Sequence, residues 1–318
     1  MILYIDKNNI KSIVQGRNEK TDLYYEIVNF VKKGLDVHYN FSKDEIYLDK
    51  DVDFWFKSVK GSGVKTNSNY CPTEKKFPEH PIKENIINLL YHKENGLRSI
   101  YLVESDNETV DYLNDNKVVL FGNVGKEYDI FKLLSEVEEK KDAIHLFKIK
   151  SWLNYCPHLP VTDLVMCDEY YFDNRYDYEH NKNEILKAIA KNAKYQLNIV
   201  IITKNIDRFY DPEDLCKQIK KDVMSASEIS DENNCSVTII LSSKFHDRHL
   251  ITNYYRIYVG AGYIKESKKE DVLVSIGPNT SKVSYETTND LIKQFNRAIE
   301  INRGVFGDRK SNILKFDI

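Results

Sequence analysis

The segment Ser242 to Tyr263, SSKFHDRHLITNYYRIYVGAGY, holds the residues of this chain best suited to chemistry. His246 and Arg248 stand two apart, Asn253 follows, and Gly260, Ala261 and Gly262 come after it. Cleaving a phosphodiester without a metal takes a nucleophile that can hold a phosphoryl group and release it to water, which an imidazole does. It also takes a cation beside the transferring oxygens and a hydrogen bond that orients the nucleophile. Arg248 offers a planar fork for two phosphate oxygens. On an extended segment His246 and Arg248 face the same side, and the glycines let backbone amides approach an anion. The predicted catalytic residues are therefore His246, Arg248 and Asn253. Arg248, Gly260, Gly262 and Lys204 are the expected phosphate ligands, with Asp168 and Glu286 as supporting groups. Two plainer readings stand beside this one. In the first, His246 is buried at the sheet centre and Arg248 pairs with Asp168 or Glu286. In the second, the notch binds phosphate without turnover.

These residues need elements to hold them. SVTIIL, directly upstream, reads as a buried strand, as do VTDLVMC and LNIVIIT. NKNEILKAIAKNAKYQL places Ile185, Leu186, Ile189 and Ala193 on one helical face. DPEDLCKQIKKDV opens with the Asp-Pro and acidic residues of a helix start. HLIT and RIYVG make a hairpin turning near Asn253 and Tyr254, and NDLIKQFNRAIEI is a last helix with Leu291, Ile292, Phe295 and Ile299 inward. The alternation predicts an α/β sandwich with a largely parallel sheet.

The spacing His, one residue, cation, four residues, Asn, six residues, Gly resembles the phospholipase D superfamily motif. The closer likeness is to the phospholipase D-like C-terminal domain of MIT-domain proteins. It extends to Ser242-Ser243, the Gly-x-Gly, Glu286-Thr287-Thr288 ahead of the last helix, and Asp168 before Tyr170 and Tyr171. It covers about residues 160–302. The resemblance implies a metal-independent phosphodiesterase, most plausibly a nuclease-type effector in bacterial defence, with His246 as nucleophile. It implies equally an inactive module that binds a phosphorylated ligand, nucleic acid, lipid headgroup or partner protein. Two positions depart from the motif. Arg248 stands where the family has Lys and keeps the charge; Asn253 stands where it has Asp and loses it. An amide orients an imidazole but cannot offset its positive charge. The family builds its site from two motifs, and this chain carries one, since His180-Asn181-Lys182 is followed by Lys187 where Asp is required. Catalysis therefore implies a homodimer with two His246 residues across a twofold axis, or a place in a larger complex. Tyr170 and Tyr171 read as core aromatics rather than a base-stacking platform, and Glu286 with Thr287 as a capping arrangement.

The first half is less legible. LYYEIVNFVKKGL and EYDIFKLLSEVEEKK read as helices, and DVHYNFS, RSIYLVES and KVVLFG as strands. There is no GxGxxG and no GxxxxGK[ST], so neither dinucleotide nor P-loop binding is supported. The polar stretch 60–81 reads as an inserted loop. A boundary falls at the proline-bearing SWLNYCPHLPVTD, giving an α/β N-terminal domain over 1–150 and a phospholipase D-like domain over 151–318.

Composition bounds the rest. With 42% hydrophobic and 30% charged residues the chain belongs with globular proteins. A net charge of −3 excludes a protein that coats duplex DNA, so any nucleic-acid contact is local. No apolar run approaches a membrane span, and the start has none of the order of a secretory leader. Five scattered cysteines without a CxxC read as reduced thiols of a cytoplasmic protein. Cys71 with His80, or Cys156 with His158, fits no standard zinc spacing, so no cofactor is expected.

Overall fold

A computed structural model of the chain describes residues 2–20, 22–32, 36–39, 41–61, 63–64, 66–67, 100–102, 121–122, 140–144, 161–173, 183–193, 196–260, 272–278, 282–301 and 304–316. The fold is mixed α/β and divides into two compact units. The first comprises Met1–Glu94, Arg98–Glu136 and Thr280–Tyr285; the second comprises Asn95–Leu97, Val137–Asn279 and Glu286–Ile318. The division thus falls near residue 137, ahead of the proline-bearing stretch at 151.

In the first unit the strands are β1 (Ile2–Ile5), β2 (Asp36–Tyr39), β3 (Thr66–Asn67), β4 (Ile100–Leu102) and β5 (Phe121–Gly122). They form a parallel sheet in the order β3-β2-β1-β4-β5. Helices α1 (Lys7–Asn18), α2 (Asp22–Lys32), α3 (Lys43–Leu48) and α4 (Lys50–Lys60) accompany it. Asp6 caps α1 by accepting from the Asn9 amide, and Ser42 with Glu45 forms a capping box on α3. Leu3, Ile5, Ile10, Ile13, Val37 and Trp55 are fully buried. The sequence reading found α2, β2, β4 and β5 but not α1, α3 or α4. KNNIKSIVQGRN mixes glycine and asparagines into its apolar stripe, which blurs the helical period.

The second unit is an eight-stranded mixed sheet in the order β13-β9-β8-β7-β10-β11-β12-β6. Its strands are β6 (Lys140–Ile144), β7 (Asp163–Cys167), β8 (Leu197–Thr203), β9 (Cys235–Leu241), β10 (His249–Thr252), β11 (Tyr255–Val259), β12 (Val272–Pro278) and β13 (Val305–Gly307). Among the described strands only β7, β8 and β9 are mutually parallel; the expected largely parallel sheet is corrected to a parallel centre with antiparallel flanks. The tight Asn253-Tyr254 turn forces the β10–β11 pair antiparallel. Lys140 and Lys141 belong to β6, so the helix expected to run through them does not reach that far.

Helices α5 (Asn183–Ala190), α6 (Pro212–Ala226) and α7 (Lys282–Ile301) complete this unit, α7 belonging to it from Glu286 onward. Asp211 caps α6 by accepting from the Glu213 and Asp214 amides, with Pro212 in the first turn, as the sequence indicated. One face of the sheet (Val165, Cys167, Val200, Ile202, Ile240, Ile251) packs on Ile292 and Phe295 of α7 and on Ile313 and Leu314 of the tail. Phe245 joins this core edge-on to Phe295, ring centroids 4.9 Å apart. That contact fixes the loop that carries His246. Among the described residues no helix is long and apolar enough to cross a membrane.

Candidate functional site

Parallel strands β7, β8 and β9 end side by side, the place where open α/β sheets bind ligands. Backbone bonds continue past the strand ends and set the register: Asp168 N–H donates to Ile202, Lys204 N–H to Glu169 and Ser242 N–H to Thr203. Asp168, Glu169, Lys204 and the His246 loop are thereby brought together.

Glu169 is the centre of the cluster. Its side chain is 4% exposed, and its two oxygens are divided: Oε1 accepts from Lys204 Nζ at 2.8 Å, Oε2 meets His246 Nδ1 at 2.7 Å. The Lys204 ammonium first, and His246 second, hold the Glu169 carboxyl down at about 2. The imidazole is 77% exposed, so Nδ1 is held from below while the other edge of the ring meets solvent. The expectation of a histidine buried at the sheet centre is thereby excluded.

Arg248 is placed differently. Nε lies 3.4 Å from Asp168 Oδ1, Nη1 donates to the Gly260 carbonyl at 3.2 Å, and the side chain is 21% exposed. Its own carbonyl accepts from Val259 N–H. Arg248 thus clamps the open end of the β10–β11 hairpin to β7, as the ion-pair reading anticipated for Asp168. Asp168 also accepts from the Tyr170 amide. Residues 246–248 precede β10, so His246 and Arg248 are not strand neighbours on one face; they reach adjacent carboxylates instead.

Several predicted site residues are not brought to His246. Asn253 is buried at the opposite end of β7, where Oδ1 accepts from the Thr162 and Asp163 amides and Nδ2 donates to Asp163 Oδ2. Six strand steps separate Asp163 from Glu169, about 20 Å. Gly260 contributes its carbonyl to Arg248 rather than its amide to an anion. Lys204, by contrast, is brought to the same carboxylate as His246, its ammonium bound to Glu169 Oε1. Glu286 is exposed and lies inside α7, not ahead of it, so it caps nothing. Thr288 beside it is buried. Gly262, His180, Cys71, His80, Cys156 and His158 lie outside the described residues. Cys167, Cys216 and Cys235 are free, buried thiols; burial pushes Cys167 and Cys216 up to about 12, so neither is a nucleophile.

Sequence reasoning missed Glu169, choosing its neighbour Asp168. The available signal was an acidic pair directly after an unbroken buried strand, where both members sit at a parallel-strand terminus. It also missed Asp163, buried at the strands' other end. Asp163 accepts from Thr162 Oγ1, Asn198 Nδ2 and both the amide and the side chain of Asn312.

No protein-family model and no curated protein matches the chain. Among solved structures, that of TrmBL2, described as an archaeal chromatin protein with a novel mode of DNA binding, is similar at a TM-score of 0.29. Sequence identity is 12%, over 80% of this chain and 81% of that one. A likeness this distant carries no argument about the site.

Proposed function

We propose that the second unit is a phospholipase D-like, metal-independent phosphodiesterase in which His246 Nε2 takes the phosphoryl group. The observation that carries this reading is the pairing of an exposed imidazole with a buried carboxylate, Nδ1 to Oε2 at 2.7 Å. An ionised Glu169 keeps the proton on Nδ1 and leaves the Nε2 lone pair for a substrate. Attack of Nε2 on phosphorus forms an N–P bond while the P–O bond to the leaving alcohol breaks. The leaving oxygen takes a proton from an acid, supplied in this reading by His246 of a second copy of the chain. Water then cleaves the N–P bond, yielding a phosphate monoester and the free ring. Glu169 fills the orienting role that the family assigns to the position of Asn253. A nuclease-type effector in bacterial defence is the cellular form of this reading.

The test is hydrolysis of bis(4-nitrophenyl) phosphate and of nucleic acid in the presence of EDTA. Wild type turns over both, and His246→Ala does not; equal rates for the two proteins would end the proposal.

A second reading is recognition without turnover. It is favoured by the engagement of Arg248 with Asp168 and Gly260, and of Lys204 with Glu169, which pairs each cation with a carboxylate. It predicts saturable binding of a phosphorylated ligand that His246→Ala weakens, with no product formed.

A further inference from the structure

Two exposed rings stand on the loops that follow β7 and β8, at the end of the sheet that carries His246. Tyr170 is 41% exposed and directly follows Glu169; Phe209 is 66% exposed and lies on the loop after β8. Their chain neighbours behave otherwise: Tyr171 and Phe172 are fully buried, edge-on to each other at 4.8 Å. The two loops are tied together by the Phe172–Ile206 bridge and by Asp207 N–H donating to the Phe172 carbonyl. The core aromatics thus anchor the loops, while Tyr170 and Phe209 are presented to solvent.

Each exposed ring has a cation over it. Lys204 Nζ is 5.8 Å from the centroid of Tyr170, and Arg208 Cζ is 5.1 Å from that of Phe209. Lys204 also bonds Glu169, which bonds His246, so three short contacts lead from the Tyr170 ring to the imidazole. Lys244, two residues before His246, is a further exposed cation; Asp247 is an exposed opposing charge, and Asp207 is engaged by the Phe209 amide.

We infer that Tyr170 and Phe209 form a stacking platform for the bases of single-stranded nucleic acid, with the neighbouring phosphate delivered to His246. This rests on the phosphodiesterase reading for its outcome, but not for binding. A flat ring with a cation above it suits a π-face followed by a phosphate. A duplex hides its base faces, and a lipid headgroup has none.

The experiment measures binding of a labelled oligothymidine, the matching duplex, and vesicles containing phosphatidic acid to the full chain. It uses His246→Asn so that no substrate is consumed. The single strand binds about tenfold or more tightly than the duplex; Tyr170→Ala raises its Kd about tenfold and Phe209→Ala several-fold, while Tyr170→Phe restores binding. Unchanged melting curves show that the exposed-ring variants fold. Duplex or vesicles bound as tightly as the single strand, or a Tyr170→Ala protein with unaltered affinity, would overturn the inference. Hydrolysis of the small ester by wild type is scored separately. If it depends on His246 while strand preference is absent, the platform falls and the phosphodiesterase stands. If hydrolysis is absent and the preference intact, the phosphodiesterase falls and the platform stands as a binding surface.

Discussion

The two ends of β7 carry similar residue types and are built for opposite purposes. At the amino end Asp163 is fully buried and ringed by Thr162, Asn198, Asn253 and Asn312, with Ser236 holding Asn198 from behind. At the carboxyl end Glu169 is equally sunk, but its partners are charged or titratable and reach solvent. The amino end ties the tail to the sheet; the carboxyl end presents an imidazole. The contrast shows that a motif residue's type does not fix its role. Asn253 fits its position because its amide accepts from two backbone N–H groups and donates to Asp163, which a carboxylate there cannot do.

The sharpest break of this comparison is His246→Ala. Removing an exposed ring leaves the melting temperature nearly unchanged, while hydrolysis falls on the order of 10³-fold or more. Asn253→Asp does the reverse. It installs the aspartate of the motif that this segment resembles but sets a second carboxylate against the buried Asp163, costing roughly 3 kcal/mol of stability, read by urea titration. If Asn253→Asp raised activity without destabilising the fold, the division between the two ends would be mistaken.

His249 sharpens the comparison through pH. Its ring is buried beside Tyr258, Nδ1 has no hydrogen-bond partner among the described residues, and desolvation first, then Arg256, depresses it to about 4. Between pH 6.5 and 4 the unfolded chain binds a proton that the folded chain refuses. Stability therefore falls as pH drops through that window, by up to about 3 kcal/mol. Melting curves from pH 7 to 4 should show the loss, and His249→Leu should flatten it. Glu169 has the same sign in a lower window. Its ordinary carboxyl range lies above its folded value of about 2, so its pairing is complete above the usual range and is lost only as pH falls towards 2. The smallest effect is that of Glu169→Gln, which keeps the shape but frees the ring to turn. Hydrolysis drops about 10- to 100-fold, by analogy with carboxylates that orient metal-bound imidazoles, and the melting temperature falls as the pairing with Lys204 and His246 is weakened.

The sequence carries the frame of the second unit plainly. The apolar runs over β7, β8 and β9, the Asp211-Pro212 helix start and the Asn253-Tyr254 turn are local signals, each written in contiguous residues. His246 stood out for the same reason. The partners of His246 did not, because Glu169 precedes it by 77 residues and meets it only through strand order. Periodicity reports which face a side chain takes, not which end of a parallel sheet a loop reaches. The same limit moved Asn253: five residues beyond Arg248 reads as near, yet β10 carries it to the far end of the sheet. Tyr170 and Tyr171 are indistinguishable by type, and only the Asp168 turn exposes the first while burying the second.

The most direct measurement is rapid acid-free quenching of the protein during turnover of a phosphodiester, followed by mass spectrometry of its histidine peptides. A transferred phosphoryl group on His246 and on no other histidine, formed about 10- to 100-fold more slowly in Glu169→Gln, is the predicted result. Turnover that leaves His246 unmodified at every time point, or a phosphoryl group found on another residue, would contradict it.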